Sequence, residues 1–126
     1  MTDTPAMNLV LLTHPDYLGL VSQAHFARSL ASGFRARGHS VEVRQPRPQW
    51  HRRLAPGPLA KWAGYVDQYL LFPIELKASM RNDPPETLYV LCDQALGPWA
   101  PLVARRPHVV HCHDLLALRS ALGEIP

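Results

Sequence analysis

The chain has 126 residues, of which 47% are hydrophobic and 18% are charged, and its formal net charge is +3. This length fits a single domain, and the apolar content is enough for a packed core, which excludes an intrinsically disordered protein. The 13 basic residues outnumber the 10 acidic ones only slightly. They form no basic stripe with interleaved aromatic residues, so a nucleic-acid-binding protein is disfavoured.

The termini and cysteines indicate the cellular compartment. Asp3 stands where a secretory signal would carry positive charge, and no apolar run approaches the roughly 18 residues of a membrane span. Cys92 and Cys112 both lie in apolar, strand-like runs, which indicates buried, reduced thiols. We therefore expect a cytoplasmic protein, with peripheral contact at the inner face of the membrane as a further option.

The first third of the chain predicts a strand, a helix and a second strand. An apolar run over 7–13 (MNLVLLT) is typical of a strand covered on both faces. Apolar residues at helical spacing predict a helix over 22–37, with Ser22 as its N-cap and Gly38 as the residue that ends it. Alternating valines predict a second strand over 39–45, nearer a sheet edge. Together these elements form a βαβ unit.

The middle of the chain divides into a proline-rich loop and a helix. Prolines and a glycine over 46–60 predict a loop without regular structure. Helical periodicity over 61–80 predicts a helix that Pro73 kinks or splits. We expect its aromatic residues, such as Trp62 and Tyr69, to pack in the core against the sheet; contact with a membrane or a hydrophobic acceptor is the alternative.

The last third predicts two more strands. They cover 87–92 and the run 106–114 (RPHVVHCHD), which we interpret as a buried parallel strand. A short, irregular helix is expected within 94–105 and another helix over 115–122. The predicted fold is therefore α/β and Rossmann-like, with about four strands in a mostly parallel sheet and helices on both faces.

Polar residues collect at the carboxyl ends of the predicted strands, the edge where open α/β sheets bind ligands. A helix that begins just after Gly19 would favour an anion such as phosphate at this edge. Only one glycine follows the first strand, so neither a dinucleotide fingerprint nor a P-loop is present, and we predict no cofactor. The residues expected at this edge are His14, Asp93, His113 and Asp114.

The His-x-His-Asp run raises the question of a metal. His111 and His113 are two residues apart on a strand and therefore share a face, which suits two imidazole ligands. No second ligand cluster accompanies them, so we predict no metal site, with His111 as a core residue and His113 as the candidate for chemistry. A small metal-dependent hydrolase stays a third, minor hypothesis.

Three motifs follow one another in an informative order. They are an apolar first strand that runs into a glycine-containing loop and helix, the segment 37–43 (RGHSVEV), and the segment 109–114 (VVHCHD). Together they resemble the N-terminal domain of glycosyltransferase family 4, retaining enzymes with the two-domain GT-B fold. The resemblance spans residues 7 to about 123. It implies that this domain binds mostly the acceptor, while a C-terminal domain binds the nucleotide-sugar.

The resemblance also implies roles for individual residues. The family loop usually has two adjacent glycines, whereas Leu20 follows Gly19 here, so a phosphate would approach this backbone less tightly. The implied roles are catalysis by His113, donor binding by Gly19 and Asp114, and acceptor binding by His14, Asp16 and Tyr17.

The family's C-terminal nucleotide-sugar domain, with its E-x7-E segment, has no counterpart in the 126 residues. We therefore expect an incomplete GT-B enzyme, inactive alone or one half of a split enzyme that a complementary C-terminal-domain chain completes. It would help to transfer a sugar from a nucleotide-sugar to a carbohydrate or lipid-linked acceptor with retention of configuration. The alternative, from a different class, is a non-catalytic α/β module that binds a partner.

Overall fold

A computed structural model describes residues 5–15, 19, 21–54, 56–112 and 116–123. Within these residues a four-stranded sheet has the order β2-β1-β3-β4, and every neighbouring pair is parallel. The strands are β1 (Asn8–Leu12), β2 (Ser40–Arg44), β3 (Leu88–Leu91) and β4 (His108–Val110). The predicted α/β fold with a parallel sheet is confirmed.

Helices connect the strands. Between β1 and β2 lies α1, and between β2 and β3 a long helix runs from residue 60 to residue 80 with a π turn in its middle. The helices are α1 (Val21–Ala36), α2 (Gln49–Leu54), α3 (Ala60–Val66), the π turn (Asp67–Leu71), α4 (Phe72–Met80), a 3-10 helix (Gln94–Trp99), α5 (Ala100–Val103) and α6 (Leu116–Ala121). We call residues 60–80 the long helix.

The sheet has a buried apolar core on each face, because successive side chains of a strand point to opposite faces. On the face covered by α1, the buried residues are Leu9, Leu11, Ala27, Ala31, Val90 and Cys92. On the face covered by α4, they are Val10, Leu12, Phe72, Leu76, Met80, Tyr89, Leu91, Leu96, Trp99 and Val103. We call these faces the α1 side and the α4 side. Helices therefore cover both faces of the sheet, as predicted.

The ends of α1 agree with the sequence prediction only in part. The helix begins at Val21, so Ser22 lies inside the first turn and is not the N-cap. At the other end, Gly38 has a φ of +88°, the left-handed conformation that closes a helix. The His39 N–H donates to the Phe34 carbonyl at 3.1 Å. Gly38 therefore ends the helix as predicted.

The prediction of an irregular loop over 46–60 is wrong, because α2 lies inside it. The carboxylate of the buried Asp67 accepts the backbone N–H groups of Trp50 at 3.0 Å and of His51 at 3.0 Å. The first N–H groups of a helix have no partner within the helix, and an acidic side chain there stabilises it. Asp67 is 17 residues from Trp50, so local composition could not reveal this cap.

Pro73 does not split the long helix, whose helical turns continue from Ala60 to Met80. Its irregularity is the π turn, which ends two residues before Pro73; a proline inside a helix removes a backbone hydrogen bond and crowds the preceding turn. The prediction that its aromatic residues pack in the core holds for Phe72, which is 4% exposed, but is wrong for Trp62, which is 66% exposed, and for Tyr69, which is 52% exposed. Among the described residues, no helix combines the length and apolar character needed to cross a bilayer.

The last strand is parallel, as predicted, but it is not buried. β4 pairs with β3 alone among the described strands, and Val109 and Val110 are 49% and 42% exposed although they point to opposite faces. His111, predicted to be a core residue, is exposed, and its ring centroid lies 4.6 Å from that of Phe26. Cys112 is exposed as well, against expectation.

Candidate functional site

Two polar side chains meet at the carboxyl edge of the sheet. His14 follows β1 and Asp93 follows β3, and the His14 Nε2 atom lies 2.8 Å from the Asp93 Oδ2 atom. The two side chains are only 12% and 7% exposed. Neighbouring parallel strands end at the same edge, which joins residues 79 positions apart in the chain. The result is a nearly buried histidine–carboxylate pair.

The backbone of the sheet fixes this pair. The ladder continues one residue beyond each strand: the Thr13 N–H donates to the Arg44 carbonyl at 3.1 Å, and the Cys92 N–H donates to the Leu12 carbonyl at 3.1 Å. The Thr13 hydroxyl also donates to the Gln45 Oε1 atom at 3.1 Å. His14 and Asp93 are thus the first residues after a paired backbone, so their positions follow from the parallel register.

The second oxygen of Asp93 is buried and accepts no hydrogen bond from the described part of the chain. Buried carboxylate oxygens almost always have a partner, and such an exception suits a site that takes a ligand or water. The first oxygen holds the His14 imidazole in one orientation. A histidine held in this way can carry a proton or donate a hydrogen bond from its ring.

His14 also lines a pocket of about 170 Å³. The walls come from the middle of the long helix and from the 3-10 helix after Asp93, and they are mainly aromatic and apolar. The other lining residues are Tyr65, Gln68, Tyr69, Ala95, Leu96, Pro98 and Trp99. A pocket with one polar end and aromatic walls suits a small ring-shaped molecule with hydroxyl groups on its edge and an apolar face.

The π turn shapes the wall of this pocket. The Trp99 Nε1–H donates to the Gln68 carbonyl at 3.0 Å, so an indole satisfies a backbone acceptor of the widened turn. The Gln68 side chain donates to the Gly64 carbonyl at 3.3 Å, and the Trp99 ring lies 4.6 Å from that of Phe72. The long helix and the 3-10 helix are therefore tied together where they form the pocket.

The structure describes two of the six residues predicted for the site. His14 belongs to the pair, and Gly19 lies just before α1 with a φ of +67°, with no atom of the described residues within 4 Å of the place a Cβ would take. Its left-handed backbone conformation therefore favours glycine there. The other four, which are Asp16, Tyr17, His113 and Asp114, lie outside the described residues.

The sequence predicts Asp93 at this edge but indicates neither its contact with His14 nor the pocket. The available signal was Asp67 next to Gln68, two polar residues that interrupt the apolar spacing of the predicted helix. For a metal, no group of three or more His, Cys, Asp or Glu side chains comes together in the part of the chain that the structure describes.

A second polar cluster lies on the α4 side and stabilises the fold. The Arg44 guanidinium donates to both Asp83 carboxylate oxygens, at 2.7 and 2.8 Å, and the Tyr89 hydroxyl donates to one of them. These hydrogen bonds, the Arg44 bonds first, hold the pKa of Asp83 below its ordinary value. Burial, then the bond to Asp83, raises the pKa of Tyr89 to about 12. This cluster is structural: Asp83 lies in the turn before β3, not after it.

Comparison with protein-family models, with curated proteins and with solved structures finds no significant match to this chain. Membership of glycosyltransferase family 4 therefore stays a prediction from the three motifs.

Proposed function

We propose that the chain is the acceptor-side domain of a retaining glycosyltransferase, which transfers a sugar from a nucleotide-sugar to a carbohydrate or lipid-linked acceptor. One observation carries this proposal: the His14–Asp93 pair at the carboxyl edge of a parallel sheet, beside a pocket with aromatic walls. The three sequence motifs support the same assignment.

The chemistry of the pocket suits an acceptor sugar. Tyr65 and Tyr69 offer accessible aromatic surface on which the apolar face of a sugar ring can lie, while imidazole and carboxylate groups bind hydroxyls. The volume of about 170 Å³ is below the roughly 300–1,000 Å³ of sites for drug-sized ligands. It therefore fits one ring and leaves the rest of a longer acceptor outside.

The proposal gives each residue a distinct task. His14 contacts the acceptor hydroxyl, and Asp93 positions His14 by holding its imidazole. Gly19 and the start of α1 face the donor diphosphate, where backbone N–H groups favour an anion. His113 and Asp114 keep their proposed tasks at the transferred sugar and the donor. A C-terminal nucleotide-sugar domain, in the same chain or in a separate one, completes the cleft. We place this assembly in the cytoplasm.

Binding of simple glycosides tests the acceptor task. We expect methyl and octyl glycosides to stabilise the chain in a thermal-shift titration and to bind in calorimetry. His14→Ala should weaken this binding about three- to tenfold, since a net hydrogen bond contributes about 0.5–1.5 kcal/mol. His25→Ala, which removes an exposed histidine of α1, is the matched control and should bind like the wild type.

Asp93→Asn keeps the size of the carboxylate and should weaken glycoside binding less than His14→Ala does. Urea unfolding of all three variants shows whether the loss comes from unfolding. Glycosides that do not bind the wild type, or that bind His14→Ala as tightly, would contradict the acceptor task.

The donor half of the proposal needs a separate measurement. UDP- and GDP-sugars are titrated against the chain alone and with a complementary α/β chain that carries an E-x7-E segment. We expect nucleotide-sugar binding and transfer of radiolabelled sugar only with the complementary chain. No binding in either arm would remove the transferase assignment, whatever the glycoside result.

The exposed edge strand favours a second candidate, a module that binds a protein partner. All three residues of β4 are exposed, and an unpaired edge carries backbone groups ready for another strand. Light scattering over a range of concentrations, with Val109→Lys as the variant, tests self-association through this edge. An oligomer that the lysine abolishes would favour the module; a monomer in both would count against it.

A further inference from the structure

The outward face of the long helix is unusually apolar for a surface. Its side chains recur every three or four residues and form a stripe, and neighbouring aromatic rings are close: Trp62 to Tyr65 is 5.8 Å and Tyr65 to Tyr69 is 6.2 Å between centroids. We call this the outward stripe. Its members are Trp62 (66% exposed), Tyr65 (38%), Val66 (37%), Tyr69 (52%), Leu70 (57%) and Ile74 (63%).

The inward face of the same helix is polar in its middle. Asp67 and Gln68 are 1% and 5% exposed, whereas a surface helix normally turns its apolar stripe toward the core. Both inward residues are satisfied, Asp67 by the N–H groups of α2 and Gln68 by Gly64. The polarity of this part of the helix is thus reversed. Six neighbouring exposed apolar side chains on a helix whose inward polar groups are satisfied indicate an interaction site.

Charge indicates what covers the stripe. The segment 46–66 contains four basic residues and no acidic one. α2, which contributes two of them, packs against α3, so positive charge borders the aromatic rings. The Lys61 ammonium lies 6.0 Å from the Tyr65 ring centroid, and the Arg53 guanidinium lies 5.3 Å from that of Trp50. The four basic residues are Arg47, Arg52, Arg53 and Lys61.

We propose that the outward stripe docks the protein on the surface of an anionic lipid bilayer. Trp and Tyr side chains suit the boundary between headgroups and acyl chains, and bordering cations are attracted to anionic headgroups. A helix of this kind lies in the plane of the interface with its apolar face about 5–10 Å deep. A second copy fits less well, because a symmetric contact would bring two acid-free basic segments together.

The stripe and the pocket share two residues. Tyr65 and Tyr69 belong to the outward stripe and also line the pocket beside His14. A docked helix therefore brings the pocket close to the lipid headgroups, where a lipid-linked acceptor presents its sugar. This choice of acceptor rests on the proposed function, whereas membrane docking does not.

Vesicle co-sedimentation tests the docking. We expect the wild-type chain to bind phosphatidylglycerol vesicles much more tightly than phosphatidylcholine vesicles, and salt to weaken that binding. Combining Trp62→Ala with Leu70→Ala should weaken binding more than about tenfold, because the variant lacks two apolar side chains that enter the bilayer when the stripe docks. Leu122→Ala is the matched control, since Leu122 is exposed as much as Trp62 and lies beyond the stripe, next to α6.

A matched pair of variants tests the positive charge that borders the outward stripe. Lys61→Gln should weaken binding to phosphatidylglycerol vesicles about fivefold. Arg28→Gln removes the same charge from an exposed position on α1 and should change binding much less. These replacements affect exposed side chains, so urea unfolding should give wild-type midpoints for each.

Several results would overturn membrane docking. They are no binding to phosphatidylglycerol vesicles, equal binding to both lipids, or equal effects of the stripe variants and their controls. A dimer in light scattering that Trp62→Ala with Leu70→Ala dissociates would assign the stripe to a second copy instead. Glycoside binding is measured without lipid, so failure of docking and failure of the acceptor task are distinguishable.

Discussion

The two sides of the sheet are stabilised in different ways. The α1 side is an apolar contact in which small residues, Ala27 and Ala31, let the helix approach the strands. The α4 side has a larger apolar core and, in addition, buried polar groups that must be paired. Apolar contacts tolerate change gradually, whereas a buried charge without its partner is strongly unfavourable. The α4 side should therefore respond more sharply to single polar substitutions.

The largest expected effect is loss of the Asp83 carboxylate. Asp83→Ala leaves the Arg44 guanidinium, whose side chain is 11% exposed, without its bidentate partner, and should lower the free energy of unfolding by about 3–5 kcal/mol. Glu42→Gln is the matched control. Its carboxylate binds the same arginine but is 64% exposed, so the change should stay within about 1 kcal/mol. Equal effects in urea unfolding would contradict a buried ion pair.

The same carboxylate gives the α4 side a pH dependence. Because Arg44 holds the folded-state pKa of Asp83 below its ordinary value, its stabilisation is complete above the unfolded-state pKa, about 3.9. It is lost as pH falls through the lower folded-state pKa. Urea midpoints from neutral to acid pH should fall more steeply for the wild type than for Asp83→Ala. Parallel curves would assign the acid sensitivity to other groups.

A smaller effect is expected at the buried cap of α2. Asp67→Ala leaves the N–H groups of Trp50 and His51 without their acceptor and should cost about 1–3 kcal/mol of unfolding free energy. Glu75→Ala is the control within the long helix, since Glu75 is exposed and also contacts α2, through Gln49. A loss in Glu75→Ala as large as that in Asp67→Ala would show that the cap is unimportant.

The smallest perturbation uses a thiol on the α1 side as a probe. Cys92 is 4% exposed, and burial, followed by the nearby charge of Asp93, raises its pKa to about 12. At mildly alkaline pH, iodoacetamide should modify the exposed Cys112 in the folded chain and Cys92 only after urea unfolding. Cys112→Ser isolates the slow thiol. Rapid labelling of Cys92 in that variant would mean that the α1 side opens easily.

The sequence was most informative where local pattern and packing agree. The apolar run of β1, the helical spacing of α1 and the glycine at its end all follow local rules, and each is found close to its predicted place. The edge position of β2 followed from its alternating valines in the same way. His14 was correctly placed beyond a strand end, because parallel strands share one carboxyl edge.

The rest depends on contacts between distant residues. The side of the long helix that faces the sheet could not be inferred from apolar spacing, since the satisfied polar pair Asp67 and Gln68 turned inward and Trp62 outward. The helical state of α2 depends on that same aspartate. The pocket beside His14 depends on a π turn and an indole that meet only in the folded chain. Apart from the adjacent polar residues Asp67 and Gln68, these features have no local signal in the sequence.

The central place of β1 bears on when the fold can form during synthesis. A chain that emerges from the ribosome N-terminus first can pair β1 with β2 early, because the Thr13–Gln45 contact spans 32 residues. The opposite edge of β1 stays open until β3 emerges, and the His14–Asp93 contact spans 79 residues. A nascent chain stalled before β3 would therefore contain half of its sheet and no pocket, with the apolar edge of β1 exposed to chaperones and to other chains.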